Sequence, residues 1–315
     1  MDEELSCTPP EIREIARNTI SNLIPTKSKH VYDKQYIKFE KWCREKKVTK
    51  ITENELLAYF ELQRHNYKSS TLWLMYSMLR CSLNLHQNVD ISKFNKLHAL
   101  LKQASVGYLP KKSEILEEDN INKFINEADN ELYLAMKVIL IIGFNGACRR
   151  DELLNLSTDD IEFKQDSIII SLPKTKNNIL RTFAITDTNW IELIKEYAKL
   201  RPTKTNHKRF FVTYRNGRCI NSPIGINTIG KVSKNIAVYL KTPNPELFTG
   251  HCFRRSSATH LTNRGGDLLT LKRHRGWKSS TVAEGYVDAS LKNKIDVAKM
   301  FVPQENIDLP PTLIK

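Results

Sequence analysis

Apolar side chains recur at helical spacing throughout the first hundred residues. Positions three and four apart lie on the same face of an α-helix, so this spacing predicts a series of amphipathic helices. The residues that share the predicted inward face of each helix are Ile12, Ile15, Thr19 and Leu23, then Tyr32, Tyr36, Phe39 and Cys43, then Leu56, Tyr59 and Phe60, then Leu72, Met75, Leu79 and Leu83, and finally Phe94, Leu97 and Leu101. No strand pattern interrupts them. Residues 1–106 are therefore predicted to form an all-helical module.

Two local signals support this helical pattern and its end. Thr52 and Glu55 have the spacing of a capping box, in which each side chain accepts a hydrogen bond from the other residue's backbone N–H. Residues 107–114 contain a glycine and a proline that break the periodicity, and they are predicted to form a linker. Lys111 and Lys112 in this linker are interpreted either as solvated or as following a phosphate backbone.

The periodicity changes in the second domain, which is predicted to span residues 115–302. Helices are predicted at residues 120–128, 132–144, 151–156, 190–200, 228–240, 253–263 and 267–273, and from residue 281 onward. Alternation of apolar and polar residues predicts two strands, 166–172 and 180–185, joined by a basic tip. The expected fold is mainly α with a small antiparallel β-sheet. Residues 303–315 are expected to be a tail.

The charge balance indicates a polyanionic partner. The 315 residues include 49 Lys and Arg but 35 Asp and Glu, which gives a net charge of +14. Neutralising phosphates releases counterions, so nucleic acid is the first candidate. The alternative is a basic protein with a solvated surface.

The cysteines and the apolar segments point away from secretion and from membranes. The six cysteines are scattered, with no C-x-x-C pair, so free thiols in a reducing compartment are expected. The acidic N-terminus does not resemble a secretory signal. The longest apolar stretch, residues 138–144, is far too short to span a bilayer.

Three segments carry residues suited to cutting a phosphodiester. That reaction needs a nucleophile, cations facing the nonbridging oxygens and a proton source for the leaving oxygen. Residues 146–153 place an arginine at a helix start, residues 251–254 form a His-x-x-Arg box, and residues 276–286 run from Gly-Trp to a tyrosine. No D-x-D or E-x-K arrangement on the strands favours a metal site. Converging basic side chains are expected to replace the metal.

In this order and spacing the three segments resemble the tyrosine recombinase/integrase family. The family signature is Arg, Lys, His-x-x-Arg, His or Trp, and Tyr, and the resemblance covers residues 115–290. It implies a helical core-binding domain and a mixed α+β catalytic domain that clamp DNA like a C. It also implies strand cleavage and rejoining through a 3′-phosphotyrosine, with no cofactor and no metal.

The resemblance assigns the two arginines of the signature to Arg149 and Arg254. Glu152 stands where the family has an acid that supports the first arginine. Arg150 is the rival for the first position, with an outward-facing, solvated role as its alternative. His251 resembles the histidine that hydrogen-bonds the phosphate and accepts the proton of the nucleophile. The neighbouring Arg255 is expected to be structural or to face DNA.

The remaining positions of the signature fall on the hairpin and on the last segment. Lys176 resembles the turn lysine that protonates the leaving oxygen, and Lys174 is the alternative. Trp277 stands where many members have histidine, and its indole N–H can donate to a phosphate oxygen, with a role as a core aromatic residue as its alternative. His274 is expected on a helix surface. Tyr286, nine residues after Trp277, resembles the nucleophile.

The resemblance also implies partners and a location. Two protomers would bind the inverted arms of a double-stranded recombination site, and two such dimers would form a tetrameric synapse. The helix at residues 289–301 would dock on a neighbouring protomer or pack on its own domain. The doublets Arg149-Arg150 and Arg254-Arg255 look most like recombinases of Crypton-type elements or of insect-associated DNA viruses. A nuclear location follows for a eukaryotic or viral host, and the cytoplasm or nucleoid for a bacterium.

Three other functions compete with this interpretation. A catalytically silent DNA-binding derivative would keep the fold without the reaction. A type IB topoisomerase would share the chemistry but relax supercoils as a monomer. A helix-turn-helix regulator would leave His251 and Tyr286 unexplained.

Overall fold

The structure, a computed structural model, describes residues 9–24, 26–173, 180–276 and 280–301. It divides into two compact units, 1–110 and 111–315. The division falls inside the segment predicted as a linker. The predicted tail and the tip of the predicted hairpin lie outside the described residues.

The first unit consists of helices in its described residues, as the periodicity predicts. They are α1 (Pro10–Asn22), α2 (Thr26–Glu45), α3 (Glu53–Arg64), α4 (Ser69–Gln87) and α5 (Asn95–Gln103), with a 3-10 turn at Ile91–Lys93. The capping box between Thr52 and Glu55 is present at the start of α3. Glu53 adds a second restraint, because its carboxylate accepts the backbone N–H of Lys96 at 2.6 Å.

The core of the first unit is aromatic and aliphatic. Phe39, Tyr59 and Phe60 are buried with edge-to-face ring contacts, and the ring centroids of Phe39 and Tyr59 lie 4.9 Å apart. Leu79 and Leu83 of α4 are fully buried in the same cluster. Each ring removes a large apolar area from water, so α2, α3 and α4 are held as one body.

The second unit combines helices with two small sheets. Its helices are α6 (Glu118–Glu127), α7 (Asn130–Asn145), α8 (Arg150–Asn155), α9 (Thr188–Leu200), α10 (Ile226–Tyr239), α11 (Cys252–Asn263), α12 (Leu268–Arg275), α13 (Thr281–Ala289) and α14 (Leu291–Met300), with 3-10 turns at Thr158–Asp160 and Pro245–Leu247. The predicted helical segments all appear, although α12 extends to Arg275, beyond its predicted end at residue 273.

The predicted strands pair as expected, and the structure adds three others. Strands β2 (Ile168–Leu172) and β3 (Arg181–Ile185) are antiparallel, and β1 (Ile161–Phe163) pairs with the other edge of β2. A separate hairpin joins β4 (Val212–Arg215) to β5 (Arg218–Pro223). Asn216 and Gly217 form its turn with φ values of 45° and 72°. The sequence interpretation missed this hairpin, although Asn-Gly is a strong hairpin signal.

Helix α7 lies at the centre of the second unit. Its residues 138–142 are fully buried, and the helix packs against α9, α10 and α11. A Cβ added at Gly143 would stand 2.8 Å from the Phe253 ring, so α7 and α11 approach closely there. A smaller cluster of Ala258, Leu271 and Ala283 joins α11, α12 and α13. These contacts bring the helices that carry the signature residues together.

Two further observations concern the termini and membranes. Helix α14 packs against α11 and α13, and it also exposes Ile295, Val297 and Met300. Within the described residues, no helix is both long enough and apolar enough to cross a membrane.

Candidate active site

The first arginine of the signature is held at the start of α8. Arg149 is the N-cap residue of this helix, and its Nη1 atom lies 2.6 Å from Oε1 of Glu152. The other carboxylate oxygen, Oε2, accepts the Arg149 backbone N–H at 2.8 Å. Glu152 therefore orients both the main chain and the side chain of Arg149. The Arg150 side chain is exposed beside Asp151, which agrees with the outward-facing role.

A second guanidinium shares this carboxylate. Arg181 begins β3, and its Nη2 atom lies 2.8 Å from Oε2 of Glu152, with both side chains almost fully buried. Its Nη1 atom donates to the carbonyl of His274 at 3.3 Å. A Cβ on Gly276 would stand 2.9 Å from the Arg181 side chain, and the φ of Gly276 is 64°. Sequence reasoning missed Arg181, because a basic residue near the start of a predicted strand gives no sign of burial.

The His-x-x-Arg box occupies the start of α11. His251 is the N-cap residue and is exposed, while Arg254 is 5% exposed. The Nη1 atom of Arg254 donates to the carbonyl of Ala147 at 2.6 Å, and Nη2 donates to the carbonyl of Arg275 at 2.7 Å. Arg254 thus ties the loop before α8 to the end of α12.

The neighbouring arginines lower the pKa values of Arg254 and His251. Burial, followed by repulsion from Arg275, Arg149 and Arg181, lowers the pKa of Arg254 to about 9. The guanidinium remains protonated at neutral pH. Partial desolvation, with Arg254 as the strongest charge, lowers the pKa of His251 below its ordinary value of 6.5. His251 is therefore neutral at pH 7 and able to accept a proton.

The structure corrects the expectation for His274. It was predicted to lie on a helix surface, but it is only partly exposed and its Nε2 atom lies 3.2 Å from the Ser257 hydroxyl. Burial, followed by the charges of Arg181 and Arg275, lowers the pKa of His274 to about 4. The reason is the packing of α12 against α11, which turns this side of α12 inward.

Tyr286 lies on α13 and contacts an arginine that the sequence did not single out. The ring is partly buried against the cluster of Ala258, Leu271 and Ala283. The guanidinium carbon of Arg275 stands 4.9 Å from the ring centroid, and the two side chains are hydrogen-bonded. Arg275 follows Leu268 and Leu271 at helical spacing, on the buried face of α12. The sequence did not single it out, because the whole last turn of this helix is basic and such residues normally face water.

The remaining signature residues lie outside the described part of the chain. These are Lys176, its alternative Lys174, and Trp277. Within the residues that are described, no group of three or more His, Cys, Asp and Glu side chains is arranged to hold a metal ion. The assignments of Lys176, Lys174 and Trp277 rest on the sequence alone.

The arrangement suits a bound anion. The charges of Arg149 and Arg181 both lower the pKa of Arg254, and among the described residues the carboxylate of Glu152 pairs with Arg149 and with Arg181. The site is therefore strongly positive. Convergent guanidiniums bind phosphate through directed, charge-assisted hydrogen bonds.

Comparison with known proteins gives a family match and curated relatives. The model of the Phage integrase family matches residues 114–293. Tyrosine recombinase XerA of Pyrococcus horikoshii is 27% identical over 229 residues, which is 71% of this chain and 75% of the relative. Tyrosine recombinase XerC of Rickettsia prowazekii is 23% identical over 262 residues, which is 80% of this chain and 74% of the relative.

Solved structures of an integrase and of a site-specific recombinase share the fold of this chain. The Tn1549 transposon integrase in complex with circular intermediate DNA has a TM-score of 0.63 at 16% identity, and the match covers 89% of this chain and 96% of that one. The XerH site-specific recombinase in its post-cleavage complex has a TM-score of 0.62 at 16% identity, with 80% and 73% covered. At these identities the likeness concerns the fold.

Proposed function

The chain belongs to the phage integrase family of tyrosine recombinases, and on that premise we propose that Tyr286 cleaves and rejoins DNA at a specific site. The enzyme class, a site-specific DNA recombinase, follows from the family. The residue roles proposed below rest on one observation in particular. Three guanidiniums, those of Arg149, Arg181 and Arg254, converge around a single carboxylate, and Arg254 is tied to the residue that holds Tyr286.

The guanidiniums would bind the scissile phosphate and its transition state. Attack converts the phosphate to a pentacoordinate species with more charge on its nonbridging oxygens. Donors fixed beforehand in a desolvated site stabilise that charge more than they stabilise the ground state. Arg149 and Arg254 would contact the phosphate directly. Arg181 would hold Glu152, and through it Arg149, in place.

The cleavage step balances without a cofactor. The phenol oxygen of Tyr286 forms a bond to phosphorus and the bond to the 5′ oxygen breaks, which leaves a 3′-phosphotyrosine. The phenol proton passes to neutral His251. The departing 5′ oxygen keeps the electron pair of the broken P–O bond. It accepts a proton from Lys176, with Lys174 as the alternative donor. Trp277 would donate its indole N–H to a nonbridging oxygen.

Rejoining is the same step in reverse. The phosphotyrosine keeps the energy of the broken ester, so a second 5′-hydroxyl can attack it and release Tyr286. No ATP and no divalent metal enter this scheme. The positive field of the site also disfavours a bound metal cation, because like charges repel at short range.

Two alternatives are less well supported. A silent DNA-binding derivative would not need a tyrosine held against the buried Arg275, whose carbonyl accepts Nη2 of Arg254. A monomeric type IB topoisomerase would relax supercoiled DNA at high dilution, which a relaxation assay separates from recombination.

The biological setting that we propose is the one that the family resemblance implies. Double-stranded recombination sites bound by a dimer, and a synapse of two dimers, are the proposed partners. A mobile element that integrates or excises a circular DNA is the proposed context. The protein would act where that DNA resides, in the nucleus of a eukaryotic host or in the nucleoid of a bacterium.

A trapping experiment tests the proposed reaction. The wild-type protein is incubated in EDTA with a library of nicked duplexes, from which the cleaved fragment diffuses away, and the attached DNA is sequenced. We expect a covalent adduct on a shared sequence, and none with Tyr286→Phe, which should still bind DNA. An adduct that persists in Tyr286→Phe, or a requirement for a divalent metal, would overturn the proposal.

A further inference from the structure

Arg275 is a buried arginine that the cleavage scheme above does not use. It is the last residue of α12 and is only 2% exposed. A guanidinium is costly to bury unless hydrogen bonds or ring contacts compensate for the lost water. Its surroundings therefore indicate what the residue does.

The side chain of Arg275 lies against the proposed nucleophile. Its guanidinium carbon stands 4.9 Å from the centroid of the Tyr286 ring, within the range of a cation–π contact. The two side chains are also hydrogen-bonded. Tyr286 is itself partly buried against the apolar cluster of Ala258, Leu271 and Ala283. One guanidinium thus contacts both the face and the polar end of the phenol.

The main chain of Arg275 reaches a different part of the site. Its carbonyl accepts Nη2 of Arg254 at 2.7 Å, and the preceding carbonyl, of His274, accepts Nη1 of Arg181 at 3.3 Å. The C-terminal end of a helix carries partial negative charge, which suits both guanidiniums. The last turn of α12 therefore joins the phosphate-binding arginines to the tyrosine.

We propose that Arg275 is a further catalytic residue, whose guanidinium holds the phenol of Tyr286 and stabilises the phenolate as it forms. This inference rests on the proposed function of Tyr286. Arg275 donates hydrogen bonds and keeps its own proton, so the proton balance of the cleavage step is unchanged. A fixed positive charge beside the oxygen favours the ionised nucleophile over the neutral one.

A comparison of two variants tests the role of the charge. Arg275→Lys keeps the positive charge, and Arg275→Gln keeps a polar side chain without it. The measurements are the rate of covalent adduct formation at saturating protein on the suicide duplex found for the wild type, the DNA affinity and the melting temperature. We expect the Gln variant to form adduct about 10²–10³-fold more slowly, the loss typical of removing one donor from a developing anion. The Lys variant should keep most of the rate, and both should bind DNA with unchanged affinity.

The results separate this inference from the function on which it depends. If the wild type forms no adduct, the proposed function fails. If the wild type forms adduct and a folded Gln variant does so at the wild-type rate, the role of Arg275 is refuted while that of Tyr286 stands.

A second measurement decides the question if the Gln variant does not unfold cooperatively. Tyr286→Phe leaves Arg275 unchanged but removes the hydroxyl that the guanidinium contacts. We expect its melting temperature to be lower than that of the wild type. The control is Tyr108→Phe, since the Tyr108 hydroxyl contacts Ser70 at an exposed position, 3.2 Å away. Equal melting of Tyr286→Phe and the wild type would contradict the contact, and with it the proposal.

Discussion

At the scale of single residues, Glu152 supplies the negative charge that compensates two of the clustered guanidiniums in the folded protein. Its carboxylate lies 2.6 Å from Arg149 and 2.8 Å from Arg181, and the latter pair is almost fully buried. Removing one member of a buried ion pair leaves the other members charged and uncompensated. Glu152 therefore supports both the stability of the fold and the orientation of Arg149.

The substitution Glu152→Gln tests this role. We expect a loss of roughly 3 kcal/mol in the free energy of unfolding, because the buried Arg181 and the partly buried Arg149 lose their counter-charge. The measurement is denaturant unfolding followed by circular dichroism. Asp159→Asn is the matched control, since it breaks a mostly exposed pair with Lys208 and should leave the free energy of unfolding nearly unchanged. Equal losses in the two variants would contradict the role given to Glu152.

The pH dependence of cleavage tests the role of His251. Its pKa is lowered in the folded protein, so the neutral, proton-accepting form persists below the ordinary value of 6.5. As the pH falls through the lowered pKa, protonation removes the acceptor and the rate falls. We therefore expect the acid limb of the cleavage rate to have its midpoint below pH 6.5, measured at subsaturating protein so that the free protein is reported.

The control for the pH profile is His251→Asn. This variant should cleave more slowly and should lack the acid limb, because asparagine does not titrate. A midpoint above pH 6.5, or the same limb in the variant, would show that His251 does not accept the proton.

Some residues of the candidate site could be predicted from the sequence. Arg149, Glu152, His251 and Arg254 form a recognisable pattern, and the structure places them near one another. Arg181 and Arg275 could not be predicted from the sequence pattern, because their burial depends on how α12 packs against α11 and against Arg181 of β3. A basic residue in a strand or at a helix end normally faces water, and only tertiary contacts reverse that expectation.

At the scale of elements, the close contact between α7 and α11 fixes the position of Arg254. An added Cβ at Gly143 would meet the Phe253 ring at 2.8 Å, and Phe253 precedes Arg254 in α11. The contact is tighter than a side chain allows without a shift of the ring or the helix. Small residues at such points let two helices approach each other.

The substitution Gly143→Ala tests this packing. We expect it to lower the free energy of unfolding by about 1–3 kcal/mol through overpacking, measured by thermal and denaturant unfolding. Gly285→Ala is the matched helical control, since an added Cβ there meets nothing within 4 Å. It should be neutral or stabilising by up to about 1 kcal/mol, as helix propensity predicts. If Gly285→Ala were destabilised while Gly143→Ala was neutral, the result would contradict a tight contact between α7 and α11 at Gly143.

Helices were easier to predict from the sequence than strands. Long amphipathic helices such as α4 and α9 repeat their pattern over several turns, so the period is unambiguous. Strand β1 has three residues, and β5 is almost entirely exposed, so neither shows a clear alternation. The short elements are held by their partners rather than by their own patterns.

At the scale of the whole molecule, two separate cores imply two separately protected units. The described linker residues 109–112 are exposed and lie outside helices and strands. We expect trypsin under native conditions to cut first at Lys111 or Lys112, because exposed irregular backbone is the preferred site of cleavage. Mass spectrometry of the fragments gives the measurement. First cuts within residues 39–101, which include the core of the first unit, would contradict the division.

The central claim is that a phenol at position 286 becomes covalently joined to DNA. The most direct measurement is the mass of the tryptic peptide that carries the nucleotide after trapping on a suicide duplex. Residues 279–292 form one such peptide, in which Tyr286 is the only tyrosine. We predict that this peptide carries a 3′-phosphoryl nucleotide on Tyr286. Attachment at any other residue, or through a 5′-phosphate, would contradict the account.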